Sequence, residues 1–403
     1  MPKSLIFWTI QNRSFKEIVE RVCDLLGYLL IPLACIMHRN NKLWVFGNKT
    51  GFSDNSKYLF LYIIRNMREI KAIWIARSKE EQKEIASLQL PCYYKWSLRG
   101  INTCLKAGIY CFSSSTSDIN YWTSARAIKI NLWHGVGIKK LGLKGSFTYN
   151  PQNRLNKFLT PSNYDPATFF ITTSDLMDEH FRECYALTKE QTRQIGYPRC
   201  DFLVEETEIV DEYIEKYEND AIKAVAKSLE QYSKVYIYMP TFRDDQSDYI
   251  SHSGIAFQEL NEMMIKNNAM FLIKLHPATR TKVTIDGYSN IMLLNKDIDV
   301  YPLLPKTDVL ITDYSSIYYD YQLMPGKHII LYPFDYEDYI KNSRDLAYDY
   351  DTYTPGEKVH EWNRLKQVLA DKNLQIETNS KWVIEQLWGS NYTNASQKII
   401  DLV

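Results

Sequence analysis

The chain has 403 residues, 45% of them apolar, and its 48 basic side chains balance 48 acidic ones. That composition excludes a disordered chain, and zero net charge removes any global argument for nucleic acid, so basic surface is a local matter. The length exceeds one ordinary core and fits two domains of usual size. Seven cysteines (23, 35, 92, 104, 111, 184 and 200) make an odd number without a CxxC pair, which favours reduced thiols. The seven histidines are scattered without an HExxH pair, so neither a structural metal nor a metal site is expected.

The first element is the apolar run LLGYLLIPLACIM, residues 25–37, with Arg13, Lys16 and Arg21 before it and His38 and Arg39 after it. It is too short to span a bilayer, and no small-residue cleavage site follows it. Two readings stand side by side: a buried core helix, or a helix lying in a membrane interface with its basic flanks on anionic lipid. Residues 1–40 are accordingly set apart as an amino-terminal helical segment.

From residue 40 the chain alternates. KLWVFGN (42–48), IKAIWIAR (70–77), AGIYCFSSS (107–115), AIKINLW (127–133) and FFITTS (169–174) read as short buried strands. SKYLFLYIIRNM (56–67) reads as a helix between two of them. GYP in QIGYPRCD (194–201) marks a turn, and 205–231 is a charged, helix-like stretch. The alternation resumes with strands at 234–241, 270–277, 291–295, 308–316 and 328–334. Such runs imply parallel sheets. The expected fold is therefore α/β, with Rossmann-like domains over 41–200 and 201–403 and the last helix able to cross back. Ligands are expected at an interdomain cleft, beyond the carboxyl ends of the strands.

Polar residues gather at those ends. His134 follows 127–133; Pro240, Thr241 and Arg243 follow 234–239; Lys274 and His276 close FLIKLH; Thr312, Asp313, Ser315 and Ser316 close DVLI. One strand-end histidine is commonly structural, but a set at equivalent places in two halves points to a site. Neutral imidazole suits a general base, and Gly135 and Gly137 leave room for a substrate. Ser315 and Ser316 stand where a helix begins, able to cap it or to meet phosphate with its free amides. Asp320, one turn on, shares the face of Ser316 and suits polyol hydroxyls, or is an ordinary capping acid. Arg243 and Lys274 suit a pyrophosphate, or Arg243 pairs with Asp244 or Asp245. Lys139, Lys140, Lys144, Arg154 and Lys157 form a basic loop, either solvated or facing an anionic acceptor or lipid headgroup.

NLWHGVGIKKLG, GYPRCD, YMPTFRDD, IKLHP and TDYSSIYYDYQLMPGKHIILYPFDYEDY, in this order over residues 42–390, resemble the CDP-glycerol glycerophosphotransferase family, the primases and polymerases of teichoic acids and related capsules. The resemblance implies a GT-B-like fold, no metal or other cofactor, and work at the cytoplasmic membrane face on lipid-linked acceptors. It implies that His134 is the catalytic histidine and His276 the second essential one, on the phosphates. Gly135, Val136, Gly137 and Ile138 would line the donor, and Arg199 would reach it. Pro240 and Thr241 would contact the nucleotide, with Arg243 nearby. Ser315 and Ser316 would hold the pyrophosphate, and Asp320 would bind the donor. Val136 and Gly137 depart from the family's usual Thr-Pro after the WHG motif.

The expected reaction is transfer of glycerol phosphate from CDP-glycerol to a hydroxyl of a lipid-linked saccharide or glycerol phosphate acceptor, releasing CMP. CDP-ribitol or a sugar nucleotide on the same fold, and an inactive glycan- or membrane-binding module, are the alternatives. The expected location is peripheral, on the cytoplasmic face of a bacterial membrane, with an anionic membrane surface as partner and no nucleic acid.

Overall fold

The computed structural model describes residues 22–144, 158, 160–243, 248–277, 279, 285–342, 346–371, 381–390 and 392–403. Two compact units emerge, one of residues 1–132 with 154–169, the other of 133–153 with 170–403. Asp244, Asp245, Arg154 and Lys157 lie outside the described residues, as do Arg13, Lys16 and Arg21.

In the first unit five strands pair in parallel in the order β3-β2-β1-β4-β5: β1 Asn40–Gly47, β2 Lys71–Ala76, β3 Cys92–Tyr94, β4 Ala107–Phe112 and β5 Ile128–Asn131. The register sets Val45 against Ile73 and Tyr110. Val45, Ile73, Ile75, Tyr110 and Phe112 then share one core. The strands read as continuous apolar runs because parallel strands are covered on both faces. β3, only three residues long, gives no such run, and the sequence reading passes over it.

The amino-terminal segment of this unit is helical at 22–27 and again at Leu30–Ile36. It docks through its small residues. Ala34 is fully buried, and a side chain at Gly27 would strike the Trp122 ring at 2.3 Å. Tyr28 packs on Trp122 and stacks on Phe158. Arg39 closes the segment by donating to the carbonyls of Cys104, Ala107 and Thr123. Val22, Leu25, Leu26, Leu29, Leu33 and Ile36 are exposed, so the segment is neither a core helix nor evenly wetted: one stripe is unburied. Among the described residues no helix is long and apolar enough to cross a membrane.

The second unit contains the parallel pair β6 (Phe169–Thr172, of which 170–172 fall in this unit) and β7 Thr192–Gln194. It also holds a parallel sheet in the order β10-β9-β8-β11-β12: β8 Lys234–Met239, β9 Ala269–Ile273, β10 Ile291–Leu293, β11 Val309–Thr312 and β12 His328–Leu331. Tyr238, Phe271, Ile273, Val309, Ile311 and Ile330 form its centre. The charged stretch after 205 resolves into helices Thr207–Tyr217 and Asp220–Leu229. The carboxyl-terminal helices return onto earlier elements of the same unit. Thr173 Oγ1 donates to Leu387, and Asp201 caps the last helix through the amides of Ala395 and Ser396.

Candidate active site

β5 stops at Asn131, two residues earlier than the apolar run suggests. The reason is Trp133, whose φ of +54° is left-handed and ends the ladder. That conformation costs a bulky residue about 1–2 kcal/mol. Its ring packs on Phe170, Phe181 and Tyr185 with centroids 5.1–5.3 Å apart. At roughly 0.5–1.5 kcal/mol per aromatic pair, these contacts offset the strain. Gly135 follows with φ +144°. Between the buried Trp133 and Gly135, His134 is exposed, its ring 4.0 Å from the Trp133 ring. The turn therefore projects the imidazole outward from a rigid base.

Arg199 underpins that turn. It lies in the short helix Pro198–Leu203, begun by a proline whose fixed φ suits a first helical position. Its Nη1 donates to the His134 carbonyl at 3.0 Å, while Nη2 and Nε hold Asp320 Oδ2 at 2.6 and 3.0 Å. Tyr197 donates its hydroxyl to the Gly135 carbonyl at 3.2 Å. The Arg199–Asp320 pair is buried, with side-chain exposures of 4% and 0%. Removing either partner from such a pair strands the other charge, at about 3–5 kcal/mol. Tyr301 also donates to Asp320, and its ring lies under the guanidinium, 4.8 Å from Cζ. Arg199 and Asp320 thus grip one another and the backbone of the turn.

Ser315 and Ser316 are half-buried after β11, and Ser316 occupies the N-cap place of a helix only five residues long, Ile317–Tyr321. The Ser316 side chain makes no capping bond. Its hydroxyl faces the histidine turn instead: a side chain on Gly135 would come 3.5 Å from Ser316 Oγ.

Arg243 is turned inward, 3% exposed. It meets Asp335 through Nε and Nη2 at 2.7 and 2.8 Å and Asp313 at 3.0 Å. The two carboxylates hold its pKa above the ordinary arginine value, against the opposing effect of burial. Asp313 in turn accepts the amides of Thr241 and Tyr314, so one cluster fixes both the Pro240–Arg243 loop and the turn that carries Ser315 and Ser316. Lys274 is also interior, its Nζ donating to the carbonyls of Leu275 and Lys296. Burial pulls its pKa down to about 8. His276 is exposed, its ring stacked on Phe242 at 4.6 Å. His276, Phe242, Arg243, Asp313, Ser316, Gly135 and His134 all belong to the second unit; His276 stacks on Phe242, Arg243 pairs with Asp313, and Ser316 Oγ lies near the Gly135 turn.

Val136 and Ile138 are buried and present no side chain outward. Gly137 has no left-handed φ, and an added side chain would rest 3.5 Å from His180 Nε2. His180 is the residue beneath this loop that strand-end reasoning misses, because it lies on the helix Asp175–Tyr185. Burial lowers its pKa, opposed by Glu183 and the Lys139 backbone. Sequence reasoning also misses Tyr197 and Tyr301: the GYP turn marks the place of Tyr197 but not its bond to the loop, and nothing around Tyr301 sets it apart among 30 tyrosines. Among the described residues no cluster of His, Cys, Asp and Glu is arranged to hold a metal ion.

Parallel sheets with an exposed histidine, two serine hydroxyls and buried charged pairs on the loops beyond the strands define an α/β protein of the GT-B-like class. The fold closely matches that of the wall teichoic acid polymerase TagF, with a TM-score of 0.73, 21% identity and 96% of each chain covered. The chain belongs to the CDP-Glycerol:Poly(glycerophosphate) glycerophosphotransferase family, whose model matches residues 29–403. It is 28% identical over 354 residues to the teichoic acid ribitol-phosphate polymerase TarL of Staphylococcus aureus, covering 84% of this chain and 58% of that one. It is 24% identical over 390 residues to a teichoic acid poly(glycerol phosphate) polymerase of Bacillus spizizenii, covering 88% and 94%. It spans only 42% of the poly(ribitol-phosphate) polymerase of the same Bacillus, with 27% identity and 68% of this chain covered. The chain thus spans from about two-fifths to under two-thirds of several curated relatives.

Proposed function

We propose that the protein transfers glycerol phosphate from CDP-glycerol to an acceptor hydroxyl in teichoic acid or capsule polymer synthesis. The observation that carries this reading is the exposed His134 on a braced turn beside Ser316, in a chain of this family. A TagF variant with histidine changed to asparagine was studied with CDPG, which supports the choice of donor.

In the proposed reaction the acceptor oxygen forms a bond to the phosphorus that bears glycerol. The bond from that phosphorus to the oxygen of CMP breaks, and CMP leaves with the electron pair. His134 takes the acceptor proton. Ser315, Ser316 and His276 meet the phosphate oxygens, while Pro240 and Thr241 border the nucleotide. Arg243 and Lys274 act from inside by fixing those loops. Phosphoryl transfer asks chiefly for positioning and charge stabilisation, and no oxidation state changes, so no redox cofactor is needed.

The names of three relatives specify ribitol-phosphate polymerases, which favours CDP-ribitol as the second donor to try. The test is CMP release from CDP-glycerol, CDP-ribitol and a sugar nucleotide, each with a lipid-linked acceptor. Release from CDP-glycerol supports the reading; release from CDP-ribitol alone moves the donor; release from neither polyol nucleotide refutes both. The acceptor is placed at an anionic membrane surface. Support comes from the exposed stripe Val22, Leu25, Leu26, Leu29, Leu33 and Ile36, whose spacing suits a helix lying in an interface.

A further inference from the structure

We infer that Tyr301 is a positioning residue for His134, acting through Asp320 and Arg199. This deepens the proposed function and rests on His134 being the base of that transfer. Tyr301 opens the 3-10 turn Tyr301–Lys306, and its amide is fixed by Asp299 Oδ1 at 3.1 Å. Its hydroxyl donates to Asp320 Oδ2, the oxygen that also accepts Arg199 Nε and Nη2. Its ring lies against the guanidinium, 4.8 Å from Cζ. Three donors on one buried carboxylate oxygen, with a ring on the guanidinium, leave Arg199 one orientation. In that orientation Nη1 reaches the His134 carbonyl and Nη2 lies beside Gly135.

The turn it holds contains two left-handed residues, Trp133 and Gly135, so it needs external bonds to stay fixed. The chain Tyr301–Asp320–Arg199–His134 supplies one, and Tyr301 is its far end. Asp320 and Arg199 then act on the imidazole through backbone position and not through contact with the donor.

The test compares the wild type with Tyr301→Phe, which keeps the ring, and Arg199→Lys, which keeps the charge but cannot span both partners. Turnover at saturating CDP-glycerol should fall about tenfold in Tyr301→Phe, the worth of one hydrogen bond to a charged group, and further in Arg199→Lys. Calorimetric Kd for CDP-glycerol should stay within about twofold, and amide hydrogen exchange should quicken across residues 132–138. A Kd weakened tenfold with turnover retained would make these residues donor ligands and overturn the inference. Unchanged turnover and exchange in a Tyr301→Phe protein of lowered melting temperature would also overturn it, leaving ordinary core packing. If the wild type releases no CMP from CDP-glycerol, the proposed function fails, while the exchange comparison still decides the strut.

Discussion

Gly135 and Arg199 stand so close that a methyl group on the glycine would lie 3.0 Å from Arg199 Nη2. Gly135 also has φ +144°, a region side-chain-bearing residues rarely adopt. Gly137, two residues on, has neither restriction, with only an ordinary 3.5 Å approach to His180 Nε2. Glycine is therefore required at one position and replaceable at the other. Gly135→Ala should lower turnover at least about tenfold, because strain of roughly 1–2 kcal/mol must be relieved by moving the turn. Gly137→Ala should keep turnover within about twofold. Parallel kinetics on the two purified variants check the contrast; equal losses would mean the turn is not held as described.

His134→Ala removes an exposed ring that packs beside the Trp133 ring. Stability should change by less than about 1 kcal/mol, as for surface truncations. CMP release should fall by roughly 10²–10⁴, the usual worth of general-base assistance. Turnover and melting temperature measured on the same preparation separate the two effects. An active variant would take the base role from His134.

Much of this was legible in the sequence because parallel strands are covered on both faces. Val45, Ile73, Tyr110, Phe271 and Ile311 lie in runs that betray their strands. The polar residues at the strand ends were legible for the same reason, since apolar runs end where loops begin. Pairing was not legible. Nothing local to Arg243 announces Asp335, 92 residues away, and nothing local to Arg199 announces Asp320, 121 residues away. Arg243, expected at a pyrophosphate, and Arg199, expected to reach the donor, are each held by a carboxylate, a long-range choice that spacing cannot display. The short strands β3 and β7 and the left-handed Trp133 escaped for a related reason: tertiary packing, not local propensity, determines them.

The Arg243 cluster should behave as a stability element. Arg243→Met leaves Asp313 and Asp335 facing one another without their cation, and Asp313 is fully buried. Breaking such a pair costs about 3–5 kcal/mol. A denaturant midpoint for the second unit's transition should drop accordingly. Loss of turnover with an unchanged midpoint would instead assign Arg243 to the substrate.

Asp118 gives the first unit a pH dependence. Its carboxylate accepts the amide of Ser114 at 2.8 Å, yet burial outweighs this and pushes its pKa up to about 7 from the ordinary 3.8. Between those values the folded state binds more protons than the unfolded chain, so this group's contribution to stability falls as pH rises. The contribution is fully present below about pH 4 and is lost by about pH 7. Asp118→Asn should remove that slope. Melting curves of both proteins at intervals from pH 4 to 7.5 should show the wild type losing ground to the variant as pH rises; parallel curves would contradict the assignment.

The exposed stripe on residues 22–36 predicts a separation of binding from stability. Leu26, Leu29 and Ile36 are 58%, 75% and 76% exposed, so charging them disturbs no packing. Surface changes of this kind usually stay within about 0.5 kcal/mol each. An interfacial helix gains affinity in proportion to the apolar area it buries in lipid, roughly 25 cal/mol per Å². Leu26→Glu, Leu29→Glu and Ile36→Glu together remove that area and add charge repelled by anionic headgroups. Sedimentation with vesicles containing anionic lipid should show the triple variant in the supernatant and the wild type in the pellet, with melting temperatures alike. Co-sedimentation of both would move the attachment to another surface, and of neither would leave the stripe without a lipid role.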